Sequence, residues 1–403
     1  MLQKVPEPSR ITFFVEADFV RRDQLAFKTG DGVESGQKIQ PVLGNLAYAE
    51  ASLGGTVTSV FSHTGNFGKK YTGITITVDK GKTAAGSRFQ EAGRDITIET
   101  AGNFLRCIPG GLPDGLFAFA DKIHTIVIQG ADEDVLGVTR AYTVKHEMAA
   151  LKQGIDVLRK ISGARQIVLT IPGAMASEGG TAGVEIKTLK PEYPAANPRL
   201  VARDCLGITV PAGSACEEAG ICFISAEAVA SLGKARDTGM VPSRKMITVI
   251  KKSGEKVMAS AVIGTPVGDV LTACSEKVNE NDRIVFGGPM TGSAVFSESH
   301  PVEADTDIVI VQDAGQIPGV ADRSCINCGD CVRICPARVP VNMLIRYLGA
   351  GDYATAADQY DLLSCIECGL CAFACPANIP VFQYIKLGKY EFARHNAAEA
   401  EHA

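Results

Sequence analysis

The chain contains no tryptophan, and only 6% of its residues are aromatic. Flat side chains on which nucleic-acid bases could stack are therefore scarce, and a formal net charge of −5 gives a phosphate backbone little to bind. Nucleic acid is not an expected partner. The acidic balance also gives no reason to expect an anionic lipid surface. No stretch reaches the roughly 18 uninterrupted apolar residues of a membrane span. The first residues, MLQKVPEPSRITFFVEADFVRR, are broken by charges and prolines before a signal-peptide core could form. These absences predict a cytoplasmic protein that meets a membrane only through partners, as a peripheral component at the inner face. The six histidines are dispersed, and no nucleophile triad or general acid–base pair emerges.

What the chain does have is cysteine, 13 residues of it, within 403 residues that are 46% hydrophobic. That length allows three or four compact units. The fold class expected is α/β multidomain, in four parts. Residues 1–90 read as a β module. Gly30-Asp31 through Gln37 sits in a run of alternating apolar and turn residues, and period-two strands follow at Gly54–Val60 and Tyr71–Val78. The run resembles the start of biotinyl- or lipoyl-type domains, a barrel-sandwich hybrid. No lysine stands between Gly44 and Gly54 to carry such a cofactor, so only the fold is read. Residues 91–242 alternate strand and helix. Thr125–Gln129, Arg165–Ile171 and Val184–Leu189 read as strands. Val144, Met148, Leu151, Ile155 and Leu158 fall on one helical face. Strands separated by helices predict a parallel, Rossmann-like sheet. Residues 243–314 return to β structure, with a hairpin turn at Ser253-Gly254, and suit a β-grasp module of the SLBB type. Residues 315–396 hold the cysteine runs, and 397–403 read as a frayed tail.

Eight cysteines fall in two copies of one pattern, forty residues apart. The first is Cys325-Ile-Asn-Cys328-Gly-Asp-Cys331-Val-Arg-Ile-Cys335-Pro. The second is Cys365-Ile-Glu-Cys368-Gly-Leu-Cys371-Ala-Phe-Ala-Cys375-Pro. Both read Cys-x2-Cys-x2-Cys-x3-Cys-Pro, the bacterial iron–sulfur spacing. Two-residue gaps let a tight turn aim three sulfurs at one cubane, and Gly329 and Gly369 permit that turn. The fourth cysteine serves the other cluster in two-cluster ferredoxins. The expected metal sites are therefore Cys325, Cys328, Cys331 and Cys375 for one [4Fe–4S] cluster, and Cys365, Cys368, Cys371 and Cys335 for the other. Zinc sites instead read as paired Cys-x2-Cys units without the third and fourth cysteines at these gaps. Differing neighbours, Asn327 and Asp330 against Glu367 and Leu370, predict two different reduction potentials. The other five cysteines, Cys107, Cys205, Cys216, Cys222 and Cys274, share no metal spacing and read as small apolar residues.

Gly30-Asp31 through Gln37, Tyr193-Pro194, Ile263–Val267, Gly287-Gly-Pro-Met290 and the two cysteine runs occur in an order that resembles the C subunit of Rnf-type ion-translocating ferredoxin:NAD oxidoreductases. The resemblance extends over nearly the whole chain. It implies an electron-transfer subunit of a multi-subunit, membrane-associated redox complex. Its partners would be other subunits of the complex and a ferredoxin or flavoprotein donor or acceptor, or NADH. Relatives that handle NADH hold FMN on the Rossmann-like domain with a loop of the form G-x-G-G-A-G-F-P-T. Here that stretch reads Arg106-Cys-Ile-Pro-Gly-Gly-Leu-Pro-Asp-Gly115, which leaves Gly110 and Gly111 as the residues for a possible FMN phosphate. The family's N-x-x-E-C-E-P and Y-P-x-G-G-E-K-Q are also lost, at Gln129–Val135 and Tyr193–Arg199. These departures favour a domain kept as scaffold. The alternative is an NADH-oxidising FMN and iron–sulfur enzyme, cobalamin reductase included.

Overall fold

The computed structural model describes residues 2–16, 26–41, 47–79, 89, 96–317, 319–320 and 323–402. They divide into two compact units. One comprises residues 1–196, 216–288 and 292–314; the other comprises 197–215, 289–291 and 315–403.

The first unit is built on three main sheets and one small one. The N-terminal strand β1 (Leu2–Lys4) is followed by β2 (Arg10–Val15), β3 (Gly32–Val33), β4 (Lys38–Ile39), β5 (Ala49–Glu50), β6 (Gly55–Thr64) and β7 (Lys70–Val78). Four of these form an antiparallel sheet of order β2-β7-β6-β3, and β4 pairs with β5 alone. Alternation sets the faces: Ile11, Phe13, Ile74 and Ile76 are buried together, whereas Thr12 and Thr75 meet through their hydroxyls at 3.0 Å on the other face.

Next come β8 (Thr125–Gln129), β9 (Gln166–Pro172), β10 (Glu185–Leu189) and β11 (Ile221–Ser225). They pair in parallel in the order β10-β9-β8-β11. Every residue of β8 is buried, as expected of a central parallel strand covered on both faces. The helical face expected over 144–158 is split at Glu147. There the backbone leaves the helical region (φ −122°, ψ 28°), and the carboxylate holds Lys234 Nζ at 2.7 Å. The helix Met148–Ser162 lies on Ala226–Thr238 through two glycines. A Cβ on Gly154 would overlap the Val229 carbonyl, and one on Gly233 the Ala150 carbonyl. Backbone-close packing of this kind leaves no room for a methyl group.

The remaining strands are β12 (Arg244–Ile250), β13 (Lys256–Val262), β14 (Arg283–Phe286), β15 (Ser293–Val295) and β16 (Ile308–Gln312). With β1 they form a third sheet of six strands in the order β1-β13-β12-β16-β14-β15. The β12–β13 hairpin turns at Gly254, whose φ of 83° needs no side chain. The N-terminal β1 joins this sheet, parallel to β13, a pairing of chain segments so far apart that local pattern could not reveal it.

The second unit is helical. The helices Val341–Gly349, Tyr353–Gln359 and Val381–His402 enclose a core of Val341, Leu344, Leu348, Ala356, Leu362, Val381 and Ile385. The last helix runs through the stretch expected to fray, because its Ala- and Glu-rich residues favour helix.

Gly154→Ala is expected to lower the thermal unfolding midpoint, with a destabilisation of about 1–3 kcal/mol from overpacking. The facing group is a backbone carbonyl, so no side-chain rotation can relieve the overlap. Calorimetry of the variant beside the unaltered chain checks it.

Candidate metal centre and nucleotide crevice

The two cysteine runs follow the same backbone path. Asn327 and Glu367 take φ of 58° and 56°, Gly329 and Gly369 take 79° and 75°, and Arg338 and Asn378 take 57° and 53°. Short helices follow at Asp330–Arg333 and Leu370–Phe373. The hydrogen bonds repeat too. The Val332 and Ala372 amides donate to the Gly329 and Gly369 carbonyls at 3.1 and 3.0 Å. Those of Arg338 and Asn378 donate to the Cys335 and Cys375 carbonyls, both at 3.1 Å. Left-handed backbone at three positions per run, two of them not glycine, is a strained shape kept for a purpose. In the first run the three leading cysteines line one cavity.

The fourth cysteine of each run crosses over. A cavity in the second unit is lined by Cys325, Cys328, Cys331 and Cys375, with Val341, Ile345, Pro376 and Ile379. The other set is visible in its electrostatics. Burial pushes the Cys371 thiol up to about 12, and Cys365, Cys368 and Cys335 add to the rise. Burial likewise pushes Cys365 up to about 11, with Cys335 adding to it while the Glu367 amide and Lys389 oppose. Cys368 is raised by burial and then by Cys335. Cys331 is raised by burial, then by Cys325 and Cys328. Thiols that feel one another through apolar surroundings hold protons until a cation replaces them. Among the described residues, no three His, Cys, Asp or Glu side chains converge closely enough to hold a single metal ion; the thiols of the first set are spread around their cavity instead.

The two sets differ in setting. Cys328 is exposed, whereas Cys368 and Cys371 are each 8% exposed. At the first loop, Arg333 donates to the Cys328 carbonyl at 3.1 Å, and Asn342 donates to Asn327 at 3.0 Å. At the second loop, Lys389 donates to the Cys365 carbonyl at 2.7 Å and to Glu367 at 2.8 Å. Two further supports were not legible as site residues. Asn197, which caps the helix Pro198–Leu206, donates from Nδ2 to the Ile366 carbonyl at 3.1 Å. The Met290 carbonyl fills the space a Cβ on Gly369 would need. The only sequence hint was their occurrence in the Tyr193–Arg199 and Gly287–Met290 runs.

Open parallel sheets bind ligands beyond the carboxyl ends of their strands, where strand order reverses. Here that crevice lies between the segments after β8 and β11, and the chain fills it itself. Lys245, fully buried, reaches Asp307 at 2.7 Å and the Met246 carbonyl at 2.9 Å, and it also pairs with Glu227. Arg140 bridges Asp307 at 3.3 Å and Glu133 at 2.8 Å, and Gln129 donates to Glu133 at 2.6 Å. Although burial opposes it, Lys245 and then Arg140 hold the Asp307 carboxyl below its usual range. Buried charges persist only when paired this completely. The glycines are engaged as well. Gly110 N–H donates to the Ala304 carbonyl at 2.7 Å and Gly111 N–H to Ile108 at 2.8 Å. The Ser225 hydroxyl donates to the Gly110 carbonyl at 3.1 Å and accepts from Ala228 N–H at 3.1 Å, which caps the helix that starts there.

Residues 324–379 match the 4Fe-4S dicluster domain family. The chain is similar to the C subunit of ion-translocating oxidoreductase complexes. It is 30% identical to the Pseudomonas aeruginosa protein over 242 residues, 58% of this chain and 31% of that one. It is 24% identical to the Klebsiella pneumoniae protein over 359 residues, 83% of this chain and 47% of that one. The chain thus spans less than half the length of these curated relatives. Among solved structures, an NAD+-reducing [NiFe]-hydrogenase in its H2-reduced state aligns with a TM-score of 0.49 at 12% identity, over 76% of this chain and 65% of that one. No helix among the described residues is long and apolar enough to cross a membrane.

Cys328→Ala and Cys368→Ala are each expected to lose about half of the bound iron and acid-labile sulfide after anaerobic reconstitution. Full iron in both variants contradicts the assignment. Lys389→Met removes a cation beside the second loop. It should lower one of two reduction midpoints, by on the order of tens of millivolts, and leave the other in place, as followed by potentiometric titration.

Proposed function

We propose that the chain is the iron–sulfur electron-transfer subunit of a multi-subunit redox complex. In this reading Cys325, Cys328, Cys331 and Cys375 hold one [4Fe–4S] cluster, and Cys365, Cys368, Cys371 and Cys335 the other. What supports it most is that Cys375 lines the same cavity as Cys325, Cys328 and Cys331, while Cys335 raises the thiols of Cys365, Cys368 and Cys371. When bound, the clusters supply one-electron chemistry at potentials set by their surroundings. The chain's own residues keep two sets of thiols in one small unit, bury one set more deeply than the other, and place Lys389 by the deeper set and Arg333 by the shallower. Charge beside a site tunes how readily it accepts an electron, and burial limits the solvent that would stabilise added negative charge.

The relatives' names supply only an ion-translocating oxidoreductase complex as the setting; the donors we propose beyond that rest on the resemblance of the sequence motifs. Electrons would pass between a soluble donor, whether ferredoxin, a flavoprotein or NADH, and partner subunits, with the membrane reached through those partners from the cytoplasmic side. The layout expected from sequence remains our reading of the architecture: a barrel-sandwich hybrid over 1–90, a Rossmann-like domain over 91–242, an SLBB-like β-grasp over 243–314 and a dicluster module over 315–396. The β2-β7-β6-β3 sheet, the parallel β10-β9-β8-β11 sheet, the β12–β13 hairpin and the terminal helices support it in that order.

We read the parallel-sheet domain as a scaffold without flavin. The support is the crevice filled by Lys245, Arg140, Glu227 and Asp307, together with the engaged amides of Gly110 and Gly111. A glycine loop binds phosphate through free N–H groups that the ligand can approach closely, and these two are already bonded.

Anaerobically purified chain is expected to contain iron and sulfide without stoichiometric FMN. Its absorbance near the iron–sulfur charge-transfer bands should bleach with dithionite and stay unchanged with NADH alone. Stoichiometric FMN with bleaching by NADH would instead establish the NADH-oxidising enzyme, and reduction of a corrinoid under the same conditions its cobalamin-reducing variant.

A further inference from the structure

A cleft of about 280 Å³ opens on the first unit between the β2-β7-β6-β3 sheet and the segment that follows β15. Arg10, Phe14, Phe61, His63, Phe296 and His300 are among its walls. No cysteine and none of the residues that fill the strand-end crevice lines it. The alternation that turns Ile11 and Phe13 to the core turns Arg10, Thr12 and Phe14 to the opposite face of β2. Gly73 on β7 stands between Phe14 and Phe61 in the strand register, and the Phe61 ring occupies the space that a side chain on Gly73 would need. The other wall is tied down. Gly268 N–H donates to the Glu298 carbonyl at 2.9 Å, and Val267 N–H to that of His300 at 2.8 Å. Phe296, in the same wall, is nonetheless 99% exposed.

The hydroxyls of the cleft satisfy one another. Thr12 meets Thr75 at 3.0 Å, and Ser297 meets Ser299 at 2.8 Å. The other polar groups differ. Arg10 is exposed, and its guanidinium has no hydrogen-bond acceptor and no carboxylate partner among the described residues. The ring nitrogens of His63 and His300 have no hydrogen-bond partner among them either. Both imidazoles are held by aromatic contact instead. His63 stacks on Phe14 with ring centres 4.0 Å apart, and His300 meets Phe14 at 5.3 Å and Phe286 at 5.0 Å. Burial pushes His300 down to about 4, with His63 adding to the fall, and burial lowers His63 as well. Both rings are therefore neutral at pH 7. No described acidic side chain lines the cleft, and the carboxylate of Glu298 lies against Gly268. The cleft thus carries one accessible positive charge, two uncharged imidazoles and three phenylalanine rings.

We propose that this cleft binds a small planar aromatic carboxylate, with Arg10 as the anchor and Phe14, Phe61 and Phe296 against the ring. Chemistry narrows the class. A guanidinium is always charged, repels amines, and matches a carboxylate with two parallel hydrogen bonds. Aromatic walls favour a flat ring over a bulky aliphatic body. A bound ring would also take the exposed face of Phe296 out of water. Two imidazoles are too few ligands for a metal ion, and among the described residues no third His, Cys, Asp or Glu joins them. The volume lies at the small end of ligand sites, about 300–1,000 Å³, which suits a compact ligand. An apolar cleft with one placed charge is the usual pattern of such sites. Because no cysteine lines it, the site does not depend on the electron-transfer reading.

The probe is 2-naphthoate. Its neutral counterpart is 2-naphthamide, and its non-aromatic counterpart is cyclohexanecarboxylate. With the full, iron-loaded chain, calorimetry is expected to show saturable binding of 2-naphthoate, with each counterpart weaker by about tenfold or more. Arg10→Gln should weaken 2-naphthoate by about tenfold or more and leave 2-naphthamide as it was. Phe296→Ala should weaken both naphthyl compounds alike, by about threefold or more. Arg10 and Phe296 are both exposed, so neither variant should change the thermal midpoint of the ligand-free protein or its iron content. The proposal is overturned if 2-naphthoate shows no saturable binding at millimolar concentration, or if either counterpart binds as well. It is equally overturned if either variant binds 2-naphthoate unchanged, or if binding weakens only together with a lower midpoint or lost iron.

Discussion

The constraint on which the C-terminal unit depends is a backbone held left-handed at matched places in two loops. Gly329 and Gly369 can take that shape freely, and each loop asks it again of a residue that pays for it, Asn327 or Glu367. With the chain curled in this way, Cys325, Cys328 and Cys331 line one cavity together with Cys375 of the other run. The surrounding helices then have a simple task. They cover the thiols with Val341, Leu344, Leu348 and Ile385, and so exclude water from one set more than from the other.

The parallel sheet presents the opposite situation. Its strand order creates a crevice of the kind that holds nucleotides, and the chain closes that crevice with its own charges. Lys245 comes from β12 and Asp307 from just before β16, while Arg140 and Glu227 come from helices of the parallel-sheet layer. Such a network is costly to break, because removal of one partner strands the others without solvent. The crevice is thereby a joint between two layers of the first unit.

Different parts of the molecule were legible in the sequence to different degrees. The cysteine spacing was informative because ligand geometry acts over a few residues. The same holds for the hairpin at Ser253-Gly254 and for the buried run Thr125–Gln129, where a local rule and the final structure coincide. The helix face over 144–158 was read correctly in period but not in continuity, because the break at Glu147 goes with an ion pair to Lys234, far along the chain. The Ala- and Glu-rich end was read as loose although its helix propensity is high. Asn197, Met290 and Lys389 carry no pattern of their own as supports of the second loop.

By itself, then, the sequence determined what depends on neighbours in the chain: the two four-thiol runs, the turns that aim them, the alternation of strands and the order of helices and sheets. Only the tertiary structure decided that one cysteine set is more exposed than the other, that β1 joins β13, and that Lys245 fills the crevice. The reason is physical. Turn geometry and side-chain periodicity are set within a few residues, whereas burial, ion pairing and cavity shape arise between segments that chain closure brings together from distant parts of the sequence.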